Sequence, residues 1–123
     1  MTQMMPINRR TAMCRRLIDM RNAVGDALGY EFCPSPIWDM LLDLYLARHE
    51  NRGVYLWSLY MVAHVSPSTA HRRVLEMEKQ GLLMRELSDR DRRCIGVEMT
   101  ERGVETVNSL LDRLIGICQA SPL

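Results

Sequence analysis

The sequence predicts a mainly α-helical domain with one small β-hairpin (α+β), arranged as a winged helix-turn-helix between two longer helices. Two observations predict this fold class. Ser66 and Pro67 begin a new helix about one turn after an apolar helix ends, so the two helices must cross at a large angle. Directly afterwards, two short segments with strand character flank a charged loop at 88–93, which forms a hairpin of the kind called a wing.

The length and composition of the chain indicate one folded domain, expected over residues 1–123. With 123 residues, 47% of them apolar and 25% charged, the chain falls within the range of soluble globular domains. Residues 1–6 lack the pattern of an export signal, and the longest apolar stretch, 54–63, is shorter than the ~20 residues of a membrane span. We therefore expect a cytoplasmic protein without a membrane segment. The net charge of +1 does not by itself indicate nucleic-acid binding.

The first half of the chain predicts two helices. Residues 8–29 carry apolar side chains at helical spacing and five arginines elsewhere, and Gly29 is expected to end this helix. Ser35 and Pro36 are typical of a helix start, as the N-cap and the first helical position. The residues that follow are apolar around nearly the whole circumference, so this second helix is expected at the centre of the fold.

The helix-turn-helix is predicted at about 54–81 and the wing at about 82–99. Residues 54–63 are expected to form a mostly apolar helix, and the helix that starts at Ser66 is expected to end near Gly81. Its predicted buried positions are Ala70, Val74 and Met77. In the wing, 83–87 and 95–99 are expected to be the two strands, because the second alternates apolar and polar residues.

A last helix is predicted at about 100–120, capped by Thr100. Its apolar residues follow a regular three-four spacing, which is typical of a helix that packs lengthwise on a partner. They are Val104, Val107, Leu111, Leu114 and Cys118. We therefore expect the first helix, 8–29, and this one, 100–120, to form a dimer interface.

Two segments resemble the MarR family of transcriptional regulators. Residues 65–74 and 77–83, which read VSPSTAHRRV and MEKQGLL, are similar to the family's recognition-helix segment. Asp91, Arg92 and Arg93, followed by the junction 97–103, are similar to its wing and the start of its next helix. The resemblance spans about residues 59–103 and implies a homodimer that binds double-stranded DNA and regulates transcription, most often as a repressor.

The resemblance also implies which residues contact DNA. A recognition helix places its first turns in the major groove, whereas arginines at a wing tip fit the narrow minor groove. The candidates are Ser66, Pro67, Ser68, Thr69, His71, Arg72 and Arg73 on the helix, and Arg90, Arg92 and Arg93 on the wing. Asp91 would repel phosphate, so its implied role is to orient a neighbouring arginine. Alternatively, the helix start is an ordinary cap and the loop a solvated turn.

Three departures from the family pattern affect this interpretation. His64 stands where a glycine often makes the turn, and histidine tolerates positive φ only moderately well. Arg73 replaces a commonly apolar residue, so its side chain is expected either to extend outward to phosphate or to loosen the core. The family usually has two helices after the wing, and this sequence supplies one, which leaves the details of the dimer interface open.

The family resemblance also suggests two further properties, binding of a small-molecule effector and sensing of oxidants. Effectors of the family commonly bind between the dimerisation helices and the DNA-binding part, which makes Trp38, Tyr45, Trp57 and Tyr60 candidates for a small-molecule pocket. Aromatic residues at helical spacing are more often simply core. Cys14 and Cys33 are candidates for oxidant sensing, although Cys33 has no basic neighbour that clearly lowers its thiol pKa, and Cys14 falls on the apolar stripe of its helix despite flanking arginines.

No enzyme or metal-binding motif stands beside these features. The four cysteines form no C-x-x-C pair, the three histidines are scattered, and the common nucleotide, hydrolase and metalloprotease motifs are absent from the sequence. We therefore expect a non-enzymatic protein without a metal or cofactor. The main alternative to DNA binding is a winged helix that binds another protein, and the near-zero net charge is its best support.

Overall fold

A computed structural model describes residues 4–30, 35–86 and 95–120, with side chains from 9 to 119. The described elements are α1 (Met4–Leu28), α2 (Pro36–His49), α3 (Leu56–Ala63), α4 (Pro67–Lys79), β1 (Leu83–Glu86), β2 (Gly96–Met99) and α5 (Glu101–Ala120). The predicted fold class is confirmed, because helices dominate and the two strands form one antiparallel hairpin. No helix in these ranges has the length and hydrophobicity that a membrane span requires.

Three of the helices begin at the polar caps that the sequence predicts. The hydroxyl oxygen of Ser35 accepts a hydrogen bond from the backbone N–H of Trp38 at 3.1 Å. Ser66 caps α4 in the same way, through the N–H of Thr69 at 3.3 Å, and a proline follows each serine. Thr100 accepts from the N–H of Gly103 at 3.0 Å. Each hydroxyl satisfies a donor that the first helical turn leaves without an intrahelical partner.

Helix α2 lies at the centre of the fold, as predicted. Its side chains Met40, Leu42, Leu44 and Tyr45 are almost completely buried. The helix packs against α1, α3, α4, α5 and β2, which explains why apolar residues occur on nearly every side of it. Burial of large side chains against so many elements supplies most of the free energy that stabilises such a small domain.

The start of α3 differs from the prediction. The sequence predicted a helix from residue 54, but Val54 and Tyr55 are extended and α3 begins at Leu56. Val54 accepts a hydrogen bond from the N–H of Val97, and Leu56 donates one to the carbonyl of Ile95, both at 2.9 Å. This segment therefore pairs with the second edge of β2. Pairing with a distant strand overrides the local pattern, which cannot distinguish a short apolar strand from a helix.

Part of the apolar seam of α5 packs inside its own chain, whereas Cys118 at the end of the seam is exposed. The dimer interface expected on this helix stays a prediction. Val107 and Leu111 are buried in the core, and Val104 packs against it. The exposed large apolar residues of α5 are Leu110 and Ile117, on another side of the helix. Regular seam spacing indicates that a helix is packed lengthwise, but it does not indicate whether the neighbour belongs to the same chain.

Arginines of α1 attach this helix to the rest of the chain. Arg10 forms two hydrogen bonds with the carboxylate of Asp112 on α5, at 2.9 and 2.8 Å. Arg21 lies 3.3 Å from the carboxylate of Asp39 and donates to the carbonyl of Val62 at 3.2 Å. The arginines of this helix therefore partly serve as internal contacts between helices.

Cys14 and Cys118 are expected to differ sharply in reactivity. Cys14 is buried, and burial raises the pKa of its thiol to about 12, so the reactive thiolate is scarce at neutral pH. Cys118 is exposed. Iodoacetamide should therefore label Cys118 in the folded chain and reach Cys14 only after unfolding, which peptide mass spectrometry can measure. Labelling of both at equal rates under native conditions would contradict this. Cys33 lies outside the described residues.

Candidate nucleic-acid interface

The turn between α3 and α4 is made by His64. This residue has φ of 54° and ψ of 33°, in the left-handed region that glycine adopts most easily. Its imidazole stacks on the ring of Tyr30, with the ring centres 4.0 Å apart and the planes inclined by 15°. The histidine at the usual glycine position therefore keeps the left-handed turn, and the stack ties the turn to the end of α1.

Helix α4 has one buried and one exposed side. Ala70, Val74 and Met77 are buried, as predicted. The DNA-contact candidates lie mostly on the opposite side: Ser66, Pro67, Ser68, His71 and Arg72 are exposed, and Thr69 and Arg73 are half-buried. The helix therefore presents the start of the predicted recognition segment to solvent rather than to its own protein.

The hydroxyl groups at the start of α4 form a local network. Ser66 Oγ lies 2.9 Å from the hydroxyl of Thr69 and 3.2 Å from that of Ser68. Ser66 is thus a cap in the ordinary sense, while Ser68 stays exposed. Residues 66–75 contain no acidic side chain, and a helix N-terminus carries partial positive charge. This surface is compatible with a polyanion.

The two arginines of α4 have different surroundings. Arg72 is exposed and has no ion-pair partner within the described residues. Arg73 lies 3.1 Å from the carboxylate of Glu76, one turn along the same helix. Its side chain therefore extends outward rather than entering the core, and its expected contact with phosphate stays a prediction.

Two contacts fix α4 to its neighbours, and sequence reasoning missed both. The hydroxyl of Tyr60 on α3 is hydrogen-bonded to Nδ1 of His71 on α4. The guanidinium of Arg85 on β1 donates two hydrogen bonds, at 3.0 and 2.9 Å, to the carboxylate of Glu78. These bonds hold the pKa of Glu78 below its usual value. The opposite charges of Glu78 and Arg85 on either side of Gly81 were the available signal for this pair.

The base of the wing is joined to α5 as well. The N–H of Thr100 donates to the carbonyl of Leu82 at 3.1 Å, and its hydroxyl donates to the carbonyl of Gly81 at 2.5 Å. Arg48 of α2 donates to the carbonyl of Met99 at 2.8 Å and pairs with Glu101. The end of α4, the hairpin and α5 therefore meet at one hydrogen-bonded junction.

The predicted wing-tip residues lie outside the described part of the chain. They are Arg90, Arg92 and Arg93, together with Asp91. The strands on either side are described, and Glu86 pairs with Gly96 at the end of the ladder. The roles assigned to the tip therefore rest on the sequence.

The four aromatic residues suggested for an effector pocket have different surroundings. Tyr45 is buried, and its hydroxyl lies 2.6 Å from Oδ1 of Asn108. Trp57 is exposed, and Tyr60 contacts His71. Trp38 lines a groove of about 220 Å³ beside Leu17, Met20 and Val24. These positions place Trp38 beside an open apolar groove and Tyr45 in the core.

The family comparison matches the part of the chain that carries this geometry. The MarR family model matches residues 45–95, from the last residues of α2 through α3, α4 and β1 to the residue before β2. This segment of the chain therefore resembles the MarR family. Among curated relatives, the transcriptional repressor MprA of Escherichia coli K12 is 35% identical over 99 residues, which cover 80% of this chain and 53% of MprA. The chain thus spans about half the length of that relative.

Solved structures share the MarR fold with this chain. A MarR family transcriptional regulator from Silicibacter pomeroyi is 24% identical, with a TM-score of 0.54 over 86% of this chain and 68% of the other. MepR of Staphylococcus aureus in its DNA-binding conformation is 17% identical, with a TM-score of 0.56 over 85% and 77% of the two chains. At these identities, the similarity shows a common winged-helix architecture.

Proposed function

We propose that this chain is a cytoplasmic protein that binds double-stranded DNA in a sequence-specific manner and represses transcription. The observation that carries the proposal is the exposed side of α4, where Ser68, His71 and Arg72 lie together on a helix start without acidic residues. A B-DNA major groove is about 12 Å wide and admits one such helix. The MprA and MepR similarities support the same function.

Each exposed side chain has a chemical role in this proposal. Arg72, with no ion-pair partner within the described residues, provides a planar donor that matches guanine O6 and N7 or a phosphate. Ser68 and the backbone N–H groups at the start of α4 suit phosphate oxygens. Arg73, held by Glu76, is better placed for a flanking phosphate than for a base edge.

The wing completes the proposal with a second contact. Arg90, Arg92 and Arg93 would enter the minor groove beside the major-groove site, with Asp91 orienting one of them. The Glu78 and Arg85 pair supports this arrangement, because it fixes the strand that leads to the wing tip against α4. The pair thereby fixes how α4 and β1 lie relative to each other.

A homodimer follows from the need to read a longer site, because two copies double the contacts on a palindrome. Met20, Val24 and Leu28 are exposed at four-residue spacing on α1, and Leu110 and Ile117 are exposed on α5. We propose these residues as the apolar part of the interface. An effector, where one acts, would contact Trp38 in the groove beside α1, which suits a small ligand.

Selection of duplexes from a random pool tests the function directly. We expect enrichment of a palindromic sequence, with half-sites about one helical turn apart, and an affinity that falls steeply with salt. Arg72→Ala should weaken binding to the selected duplex by about 1–3 kcal/mol. The control is Arg113→Ala, which removes an equal charge from an exposed position on α5. Failure to enrich any duplex, or equal effects of the two variants, would contradict the proposal.

A further inference from the structure

Tyr60 occupies a fixed position behind the recognition helix. It lies half-buried on α3 and packs against the core, while its hydroxyl reaches across to Nδ1 of His71 on α4. The two rings meet edge to face, with centres 6.0 Å apart and planes at 88°. The phenol ring is therefore held by its own protein, and its hydrogen bond limits how the exposed imidazole can rotate.

This hydrogen bond also selects the form of the imidazole. A phenol is a good donor and a weak acceptor, whereas an unprotonated imidazole nitrogen is a strong acceptor. Burial raises the pKa of Tyr60, with Arg85 opposing it, so the phenol keeps its proton at neutral pH. The favoured arrangement is O–H of Tyr60 donating to Nδ1, which leaves the ring proton of His71 on Nε2.

The remaining nitrogen is available to a ligand. His71 is exposed, and Nε2 has no hydrogen-bond partner within the described residues. In the form set by Tyr60, Nε2–H can only donate, so it matches acceptors on a base edge, such as N7 and O6 of guanine. With Nδ1 protonated instead, Nε2 would accept, and it would match the amino groups of adenine or cytosine.

We propose that Tyr60 is a positioning residue for DNA readout, which holds His71 as an Nε2–H donor toward a purine acceptor in the major groove. This inference rests on the proposed DNA binding and deepens it. It assigns Tyr60 to the recognition surface rather than to an effector pocket. Tyr60 itself need not contact DNA, because it acts through the histidine.

A double-mutant cycle on the selected duplex tests the coupling. Tyr60→Phe keeps the ring and removes the hydroxyl, and we expect it to weaken binding about 5-fold, as for the loss of one net hydrogen bond. In a His71→Ala background the same change should have no effect, because Tyr60 acts only through His71. Tyr55→Phe, at an exposed tyrosine just before α3, is the matched control and should leave affinity unchanged.

The imidazole form can be observed without DNA. Nitrogen-15 NMR of the free protein, at a pH where imidazole is neutral, should show the Nε2–H form for His71, and a mixture of forms in Tyr60→Phe. An Nδ1–H form of His71 in the wild type would overturn the inference. So would a loss of DNA affinity from Tyr60→Phe that persists in the His71→Ala background. A wild-type chain that binds no duplex overturns the proposed function instead, and the NMR result then still decides whether Tyr60 fixes the ring.

Discussion

Asp39→Ala is expected to lower the free energy of unfolding by about 3–5 kcal/mol, as for the loss of one partner from a buried ion pair. The side chains of Arg21 and Asp39 are only 13% and 6% exposed and lie 3.3 Å apart. Arginine stays charged at any accessible pH, so the variant removes the opposite charge of Asp39 from beside a largely buried cation. A loss of this size is a large fraction of the stability of a small domain.

Denaturant unfolding followed by circular dichroism measures this effect. The matched control is Asp43→Ala on the same helix, which removes an ion pair with Arg52 whose side chains are more exposed. That change should reduce the free energy of unfolding by no more than about 1 kcal/mol. Equal losses in the two variants would mean that burial does not set the strength of the Arg21 and Asp39 pair.

Replacement of Arg21, the other partner of this ion pair, should lower the free energy of unfolding less than Asp39→Ala does, and by an amount that depends on pH. Burial raises the pKa of Asp39, while Arg21 and His64 oppose the rise. In Arg21→Met the pKa should rise further, because Asp39 loses its nearest cation. A carboxyl whose folded pKa exceeds its unfolded value favours folding at low pH, and this contribution is lost as the pH rises through the folded pKa. The stability deficit of Arg21→Met, relative to wild type, should therefore shrink as the pH is lowered from neutral.

Gly103→Ala is expected to destabilise the fold by about 1–3 kcal/mol, as for other overpacked sites. A Cβ at this position would lie 2.2 Å from the carbonyl oxygen of Leu82 and 2.7 Å from Cγ of Met99. The Leu82 carbonyl accepts the N–H of Thr100, so it cannot move without disturbing the junction of α4, the hairpin and α5. DNA affinity should fall together with stability, because the hairpin base shifts relative to α4.

The control for this steric argument is Gly116→Ala in the same helix. Apart from the adjoining residues and backbone of its own helix, no atom of the described residues lies within 4 Å of the Cβ position there, so the change adds helix propensity without a clash. We expect a gain of about 0.5–1 kcal/mol in the free energy of unfolding. Thermal and denaturant unfolding compare the two variants directly. Destabilisation by both would indicate that α5 rejects alanine for a reason other than the contact with Leu82.

Local signals predicted most of the helical framework. Ser35, Ser66 and Thr100 cap helices where the sequence indicated, since a cap depends on residues within one turn. The buried side of α4 followed from its periodicity in the same way. The prediction was wrong at Val54 and Tyr55, because their partner strand lies more than forty residues away in the sequence.

The contacts that shape the candidate site could not be predicted in this way. The bonds between Tyr60 and His71, and between Glu78 and Arg85, depend on how α3, α4 and β1 cross, which residue spacing does not encode. The exposed residues of α4 were predicted because a recognition helix must leave its first turns uncovered. The sequence-based roles of Arg90, Arg92 and Arg93 stay predictions.

The extended segment at Val54 and Tyr55 has a mechanical consequence for DNA binding. It forms a bridge with β2 on the edge opposite β1, through the Val54 to Val97 and Leu56 to Ile95 hydrogen bonds, so both edges of β2 are paired at the base of the hairpin. To swing the hairpin away from α3, the protein would have to break these bonds. Helix α3 and the base of the hairpin should therefore tilt as one rigid body. Under the proposed DNA binding, a duplex whose groove spacing does not match this body would itself have to adjust, and bendable base steps would become part of what the protein selects.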